Sequence, residues 1–155
     1  WGISLGPDDA YTALRGLRSL KTRMDAHEAA GLRIANWLSE RPEVCQVLHP
    51  ALEQHPDHVI WKRDFTGSNG LFSVILNTVS PEGLKRFFDA LELFSMGFSW
   101  GGFESLIIPC DPQLKRSKGH WIDQKVGPLL RIHVGLETVD DLIADLRAGF
   151  EAMGE

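Results

Sequence analysis

Residues 130–134 constrain the fold more than any other stretch of this chain. Leu130, Ile132 and Val134 alternate with Arg131 and His133, the period-two pattern of a strand whose two faces meet different surroundings. A few residues on, the period becomes helical: Val139, Leu142, Ile143, Leu146 and Phe150 make one apolar stripe. Thr138 and Asp141 resemble a capping box, with aspartate where glutamate or glutamine is usual. A strand that leads at once into an amphipathic helix must lay that helix on the face carrying Leu130, Ile132 and Val134. Arg131 and His133 then point to the opposite side of the sheet.

The other elements agree with a layered domain. Gly6-Pro7-Asp8-Asp9 reads as a helix start, with proline at the first helical position and acids at the positive end of the dipole. Helical spacing continues to Glu40, with Leu14, Leu17, Leu20 and Met24 near one face. Gly16 and Ser19 interrupt it, which predicts two helices jointed at 16–19 and ended by Arg41-Pro42. Val44–Leu48 reads as a short strand, and 51–69 as a long polar connection with a helical turn at His58–Lys62. Leu71–Leu76 is apolar on both faces, as a central strand is. Ser80-Pro81 opens a helix with Leu84, Phe87, Phe88 and Leu91 on one face. A strand at Leu93–Gly97, a glycine corner and an apolar run at Leu106–Ile108 follow. There is no strict β-α-β alternation. The expected class is α+β: a small, mainly antiparallel sheet covered by helices on one face.

Bulk composition excludes several functions. At 155 residues, 43% hydrophobic and 24% charged, the chain suits one folded domain and not a disordered segment. Sixteen basic against 21 acidic residues leave a net charge of −5 and no basic block, so nucleic acid is not an expected partner. The densest basic stretch, Lys115-Arg116-Ser117-Lys118, reads as a solvated loop. No apolar run approaches the roughly 20 residues that span a bilayer. Cys45 and Cys110 make no disulfide framework, which fits a reducing cytoplasm. The chain opens Trp1-Gly2-Ile3, and the expectation is a piece of something longer.

Few residues invite chemistry. Arg131 offers a planar guanidinium on a rigid strand, suited to gripping a carboxylate through two parallel hydrogen bonds. An exposed arginine in a surface ion pair fits the same pattern. Phe98-Ser99-Trp100-Gly101-Gly102-Phe103-Glu104-Ser105 places aromatics around paired glycines, which suits either a pocket wall or a tight turn. His49, His55 and His58 are separated by Pro50 and Pro56 and match no closed zinc spacing, so no metal is expected. Thr66-Gly67-Ser68-Asn69-Gly70 lacks the Gly-Lys-Ser/Thr ending of a phosphate loop. No nucleophile stands beside an evident base.

Two longer stretches carry more. Leu93-Phe94-Ser95-Met96-Gly97-Phe98-Ser99-Trp100-Gly101-Gly102-Phe103-Glu104-Ser105-Leu106-Ile107 resembles the signature loop of bacterial cystathionine β-lyases. Leu129-Leu130-Arg131-Ile132-His133-Val134-Gly135-Leu136-Glu137 and the helix after it resemble that family's C-terminal strand and helix. Arg15–Leu20 and Trp61–Ser68 match in the same order, so the resemblance runs over nearly the whole chain.

The resemblance implies the Cys/Met-metabolism group of fold-type-I pyridoxal-phosphate enzymes, with residues 1–155 as the small C-terminal domain. Within it, 1–40 would be helices linking to a cofactor domain and 41–155 the α+β core. Arg131 matches the arginine that binds the substrate's α-carboxylate, and Ser99 and Trp100 match residues lining the pocket beside it. Trp100 and His133 favour the β-lyase over relatives acting at the γ-carbon, such as cystathionine γ-synthase or γ-lyase. Phe98 stands where some members have tyrosine. Pyridoxal 5′-phosphate is implied for the full-length enzyme, but no cofactor-binding or catalytic residue is expected among these, because the cofactor lysine belongs upstream. The implied reaction takes cystathionine to homocysteine, pyruvate and ammonia, in a cytoplasmic homotetramer, with these residues alone inactive. A non-enzymatic amino-acid-binding module is the reading from a different class.

Overall fold

The computed structural model describes residues 2, 4–115 and 126–154. Arg116, Ser117 and Lys118 of the basic stretch, and Trp1 and Ile3, lie outside the described residues. Two helices open the chain, α1 (Pro7–Arg18) and α2 (Leu20–Ser39). Ser19 is their joint, where its N–H and Oγ both donate to the Gly16 carbonyl at 3.3 Å. The other elements are β1 (Val44–Leu48), α3 (His58–Asp64), β2 (Leu71–Leu76), α4 (Pro81–Asp89), β3 (Leu106–Pro109), β4 (Leu129–His133) and α5 (Val139–Gly154). Ser80 caps α4, its Oγ accepting from the Gly83 N–H at 3.0 Å. No helix among the described residues is long and apolar enough to cross a membrane.

The four strands form one antiparallel sheet in the order β1-β2-β4-β3. Register sets the faces. Phe72 lies opposite Ile132, Val74 opposite Leu130, and Ile107 opposite Ile132. These side chains form the core with Ile34 and Leu38 of α2, Phe87 of α4, and Leu142, Leu146 and Phe150 of α5. Each fully buried aliphatic or aromatic side chain of this kind contributes about 1.5–3 kcal/mol. Helices therefore cover one face, as the alternation in β4 requires.

One expectation needs correction. Leu93–Gly97 forms no strand; Ser95 makes a single parallel bridge to Leu106. The cause is Asp145, a buried carboxylate on α5. Its Oδ1 accepts from the Glu92 N–H at 2.7 Å, and its Oδ2 from Leu93 and Phe94 at 3.0 and 2.9 Å. Those N–H groups are thus withdrawn from any sheet ladder. Helix α1 lies open. Its apolar residues Tyr11, Leu14 and Leu17 are 62, 47 and 64% exposed, and none of the helix is buried.

Candidate functional site

Arg131 sits in the middle of β4, opposite Ser73 of β2 and Ile108 of β3, on the face away from the core helices. Its Nη2 donates to the carbonyls of Gly97 and Phe98, at 3.0 and 2.8 Å. Arg131 forms no ion pair with another described residue. Instead, the guanidinium holds the start of the glycine-containing loop by its backbone. Each edge of a guanidinium that can meet a carboxylate with two N–H groups includes Nη2. A two-bond grip on a carboxylate therefore requires one loop carbonyl to give way.

The loop from Gly97 to Ser105 walls a cleft of about 620 Å³, lined among others by Ser95, Phe98, Ser99, Trp100 and Glu104. Ser99 and Trp100 line this cleft; Arg131 does not, and stands behind it, bonded to the carbonyls of the lining residues Gly97 and Phe98. Phe98 and Trp100 are 68 and 52% exposed, large apolar surface that a ligand or another surface would cover. Gly101 has φ of +98°, a conformation that side chains rarely adopt, so the turn after Trp100 depends on glycine.

The far end of the loop is pinned just after β4. The Ser105 N–H and Oγ donate to the two carboxylate oxygens of Glu137, each at 2.8 Å, and the Gly135 N–H donates to Ser105 Oγ at 2.8 Å. The Leu136 N–H bonds the Phe103 carbonyl at 2.8 Å. A Cβ on Gly135 would lie 2.2 Å from that carbonyl oxygen, so only glycine permits the approach. With Asp145 at the near end, buried or half-buried carboxylates hold both ends. Sequence reasoning missed Ser105, Glu137 and Asp145. Asp145 did leave a signal, because it lies on the helical stripe between Leu142 and Gly149.

Four of the described histidines divide into two kinds. His55 and His58 make local loop contacts: His55 Nδ1 accepts from the Asp57 N–H at 3.1 Å, and His58 Nδ1 lies 3.0 Å from the Pro50 carbonyl. No group of histidine, cysteine and carboxylate able to hold a metal ion forms among the described residues. His49 and His133 are 2 and 3% exposed, and each buries one ring nitrogen without a partner, Nε2 and Nδ1 respectively. Burial pushes both imidazoles below the usual 6.5. The unfolded chain then binds more protons than the folded one as pH drops below 6.5, so stability is full above that value and declines below it. The urea midpoint is expected to be lower at pH 5 than at pH 8; equal midpoints would contradict neutral burial of the two rings.

A second hollow, of about 370 Å³, lies under the 51–69 connection against His49, Ile60, Trp61 and Phe65. Its walls carry no lysine or arginine.

Comparison with known proteins covers almost the whole chain. Residues 1–151 match the Cys/Met metabolism PLP-dependent enzyme family. The chain is 50% identical over 151 residues to the cystathionine beta-lyase of Salmonella typhimurium, spanning 96% of this chain and 38% of that protein. It is 49% identical over 153 residues to the Escherichia coli cystathionine beta-lyase, again 96% of this chain and 38% of the relative. A crystal structure of cystathionine gamma synthase from Xanthomonas oryzae pv. oryzae in complex with cystathionine superposes with a TM-score of 0.85 at 32% identity. That match covers 99% of this chain and 40% of the other.

Proposed function

Because the chain belongs to the Cys/Met metabolism PLP-dependent enzyme family, we propose that it supplies the substrate-carboxylate half of a cystathionine β-lyase site. One observation carries the reading: Arg131 is held by the loop carbonyls of Gly97 and Phe98, in the loop whose Ser99 and Trp100 line the adjoining cleft. Arg131 takes the α-carboxylate of an amino acid, exchanging one of those carbonyls for a substrate oxygen. The loop thus shifts as the substrate seats. Ser99 and Trp100 line the space for the rest of the substrate, and the indole keeps water from one side of it. Fixing the carboxylate orients the α-carbon and its bonds, which is a positioning role and moves no proton.

The described residues do not fit the cofactor of this family. Among them no lysine lines the cleft of Ser99 and Trp100, and Lys21 and Lys85 are exposed in ion pairs with Asp25 and Asp89. No step is therefore assigned here to pyridoxal 5′-phosphate, which in this reading is held by a part of the enzyme beyond these residues. The chain spans 38% of the length of its curated relatives. Residues 1–40 would lead into the cofactor domain, with 41–155 as the α+β core. The uncovered apolar residues of α1 support that arrangement, since Tyr11, Leu14 and Leu17 form surface that a further domain would bury. A soluble cytoplasmic homotetramer completes the proposal.

The test is a product assay on the full-length protein with cystathionine. Pyruvate with homocysteine is the expected result; 2-oxobutyrate would favour a γ-acting enzyme, the reading that the likeness to a cystathionine gamma synthase supports. The 155-residue chain alone is expected to give neither product nor a visible Schiff-base band with added pyridoxal 5′-phosphate.

A further inference from the structure

His133 occupies an unusual place beneath the loop. Its Nε2 lies 3.2 Å from the Gly101 nitrogen and 3.2 Å from the Gly102 oxygen. One ring nitrogen of a neutral imidazole either accepts or donates. A bare Nε2 accepts from the Gly101 N–H; a protonated Nε2 donates to the Gly102 carbonyl. Nδ1 is buried and has no partner, so no second hydrogen bond selects one of these holds over the other.

The ring also rests on a second histidine. His27 of α2 lies 5.4 Å away, centroid to centroid, and its own Nδ1 is 2.8 Å from the Val134 carbonyl. His27, His133, Met24 and Leu71 close a hollow of about 100 Å³ beneath Trp100 and Gly101. Trp100 therefore stands between the larger cleft and a floor made of two buried imidazoles. Gly101 has no side chain with which to fix its own position. Among the described residues, His133 is the sheet side chain that meets the loop backbone at Gly101 and Gly102, as Arg131 meets it at Gly97 and Phe98.

We propose that His133 is a positioning residue that sets Ser99 and Trp100 through the Gly101 and Gly102 backbone, and so sets the width of the substrate cleft. The inference rests on reading that cleft as the substrate pocket. A larger or smaller substrate side chain is accommodated according to where this wall stands.

The experiment compares His133→Leu and His133→Asn with the wild type in the full-length protein. Hydrogen exchange is read separately in residues 98–103 and in the strands 71–76 and 129–132. Leucine removes both holds, and exchange in 98–103 is expected to rise about tenfold, the scale of one net hydrogen bond, with the strands unchanged. Asparagine keeps a donor and an acceptor and should stay within about threefold of the wild type. In parallel, His133→Leu should raise KM for cystathionine more than it lowers kcat, with partial rescue by asparagine. Unchanged exchange in 98–103, or equal acceleration of loop and strands, would overturn the inference, the latter because it marks a merely structural core residue. A wild-type protein without lyase turnover would remove the functional reading, while the exchange result still decides whether His133 positions the loop.

Discussion

Arg131→Ala in the full-length protein is expected to lower kcat/KM for cystathionine by about a hundredfold to ten-thousandfold. The range follows from losing two charge-assisted hydrogen bonds of about 1.5–3 kcal/mol each to the substrate carboxylate. Both KM and kcat should suffer, because the carboxylate anchors the substrate before reaction and fixes the α-carbon during it. Lysine should restore little, since a flexible ammonium lacks the planar fork that meets a carboxylate with two parallel N–H groups. The variant should remain folded. Arg131 is only half-buried, and the Gly97 and Phe98 carbonyls it leaves can turn to water in an exposed loop. Unchanged kcat/KM in a folded Arg131→Ala protein would take this residue out of the site.

The largest stability effect is expected at Asp145. Its side chain is buried, and it receives three consecutive backbone N–H groups, from Glu92, Leu93 and Phe94. Alanine leaves three donors without an acceptor beside Phe94, itself 4% exposed. The expected destabilisation is about 3 kcal/mol, a large share of the roughly 5–15 kcal/mol that holds a typical domain together. Asparagine should fall between. Its oxygen can serve Leu93 and Phe94, but its amide then faces the Glu92 N–H, donor against donor. Urea unfolding checks both variants, and an alanine variant within about 0.5 kcal/mol of the wild type would show that the contact is not the anchor described. The same variant should loosen the loop that carries Ser99 and Trp100, because its near end would no longer be tied to α5.

Much of the fold was legible because its elements follow local periodicity. The alternation at 130–134, the stripe from Val139 to Phe150, the Ser80-Pro81 helix start and the joint at Ser19 all appear where their spacing puts them. Leu93–Gly97 failed for a reason that no local pattern holds: the carboxylate that claims its amides stands more than fifty residues along the chain, on α5. The α1 stripe was legible as a stripe, but its exposure was not, since amphipathic spacing says which side is apolar and not whether anything covers it.

The candidate site divides in the same way. Period two alone pointed Arg131 and His133 away from Leu130, Ile132 and Val134, because neighbours along a strand must point oppositely; it did not foresee that His133 packs on His27 of α2. The resemblance to a family supplied Ser99 and Trp100 as companions of Arg131. Tertiary structure decided what those residues do to one another. It tied Arg131 to the carbonyls of Gly97 and Phe98, Ser105 to Glu137, and His133 to Gly101 and Gly102. Each of these bonds joins a loop, whose backbone has no ladder of its own to satisfy it, to a side chain about thirty residues or more away. Local spacing carries the direction of a side chain. Which distant backbone it satisfies is settled only when the layers pack.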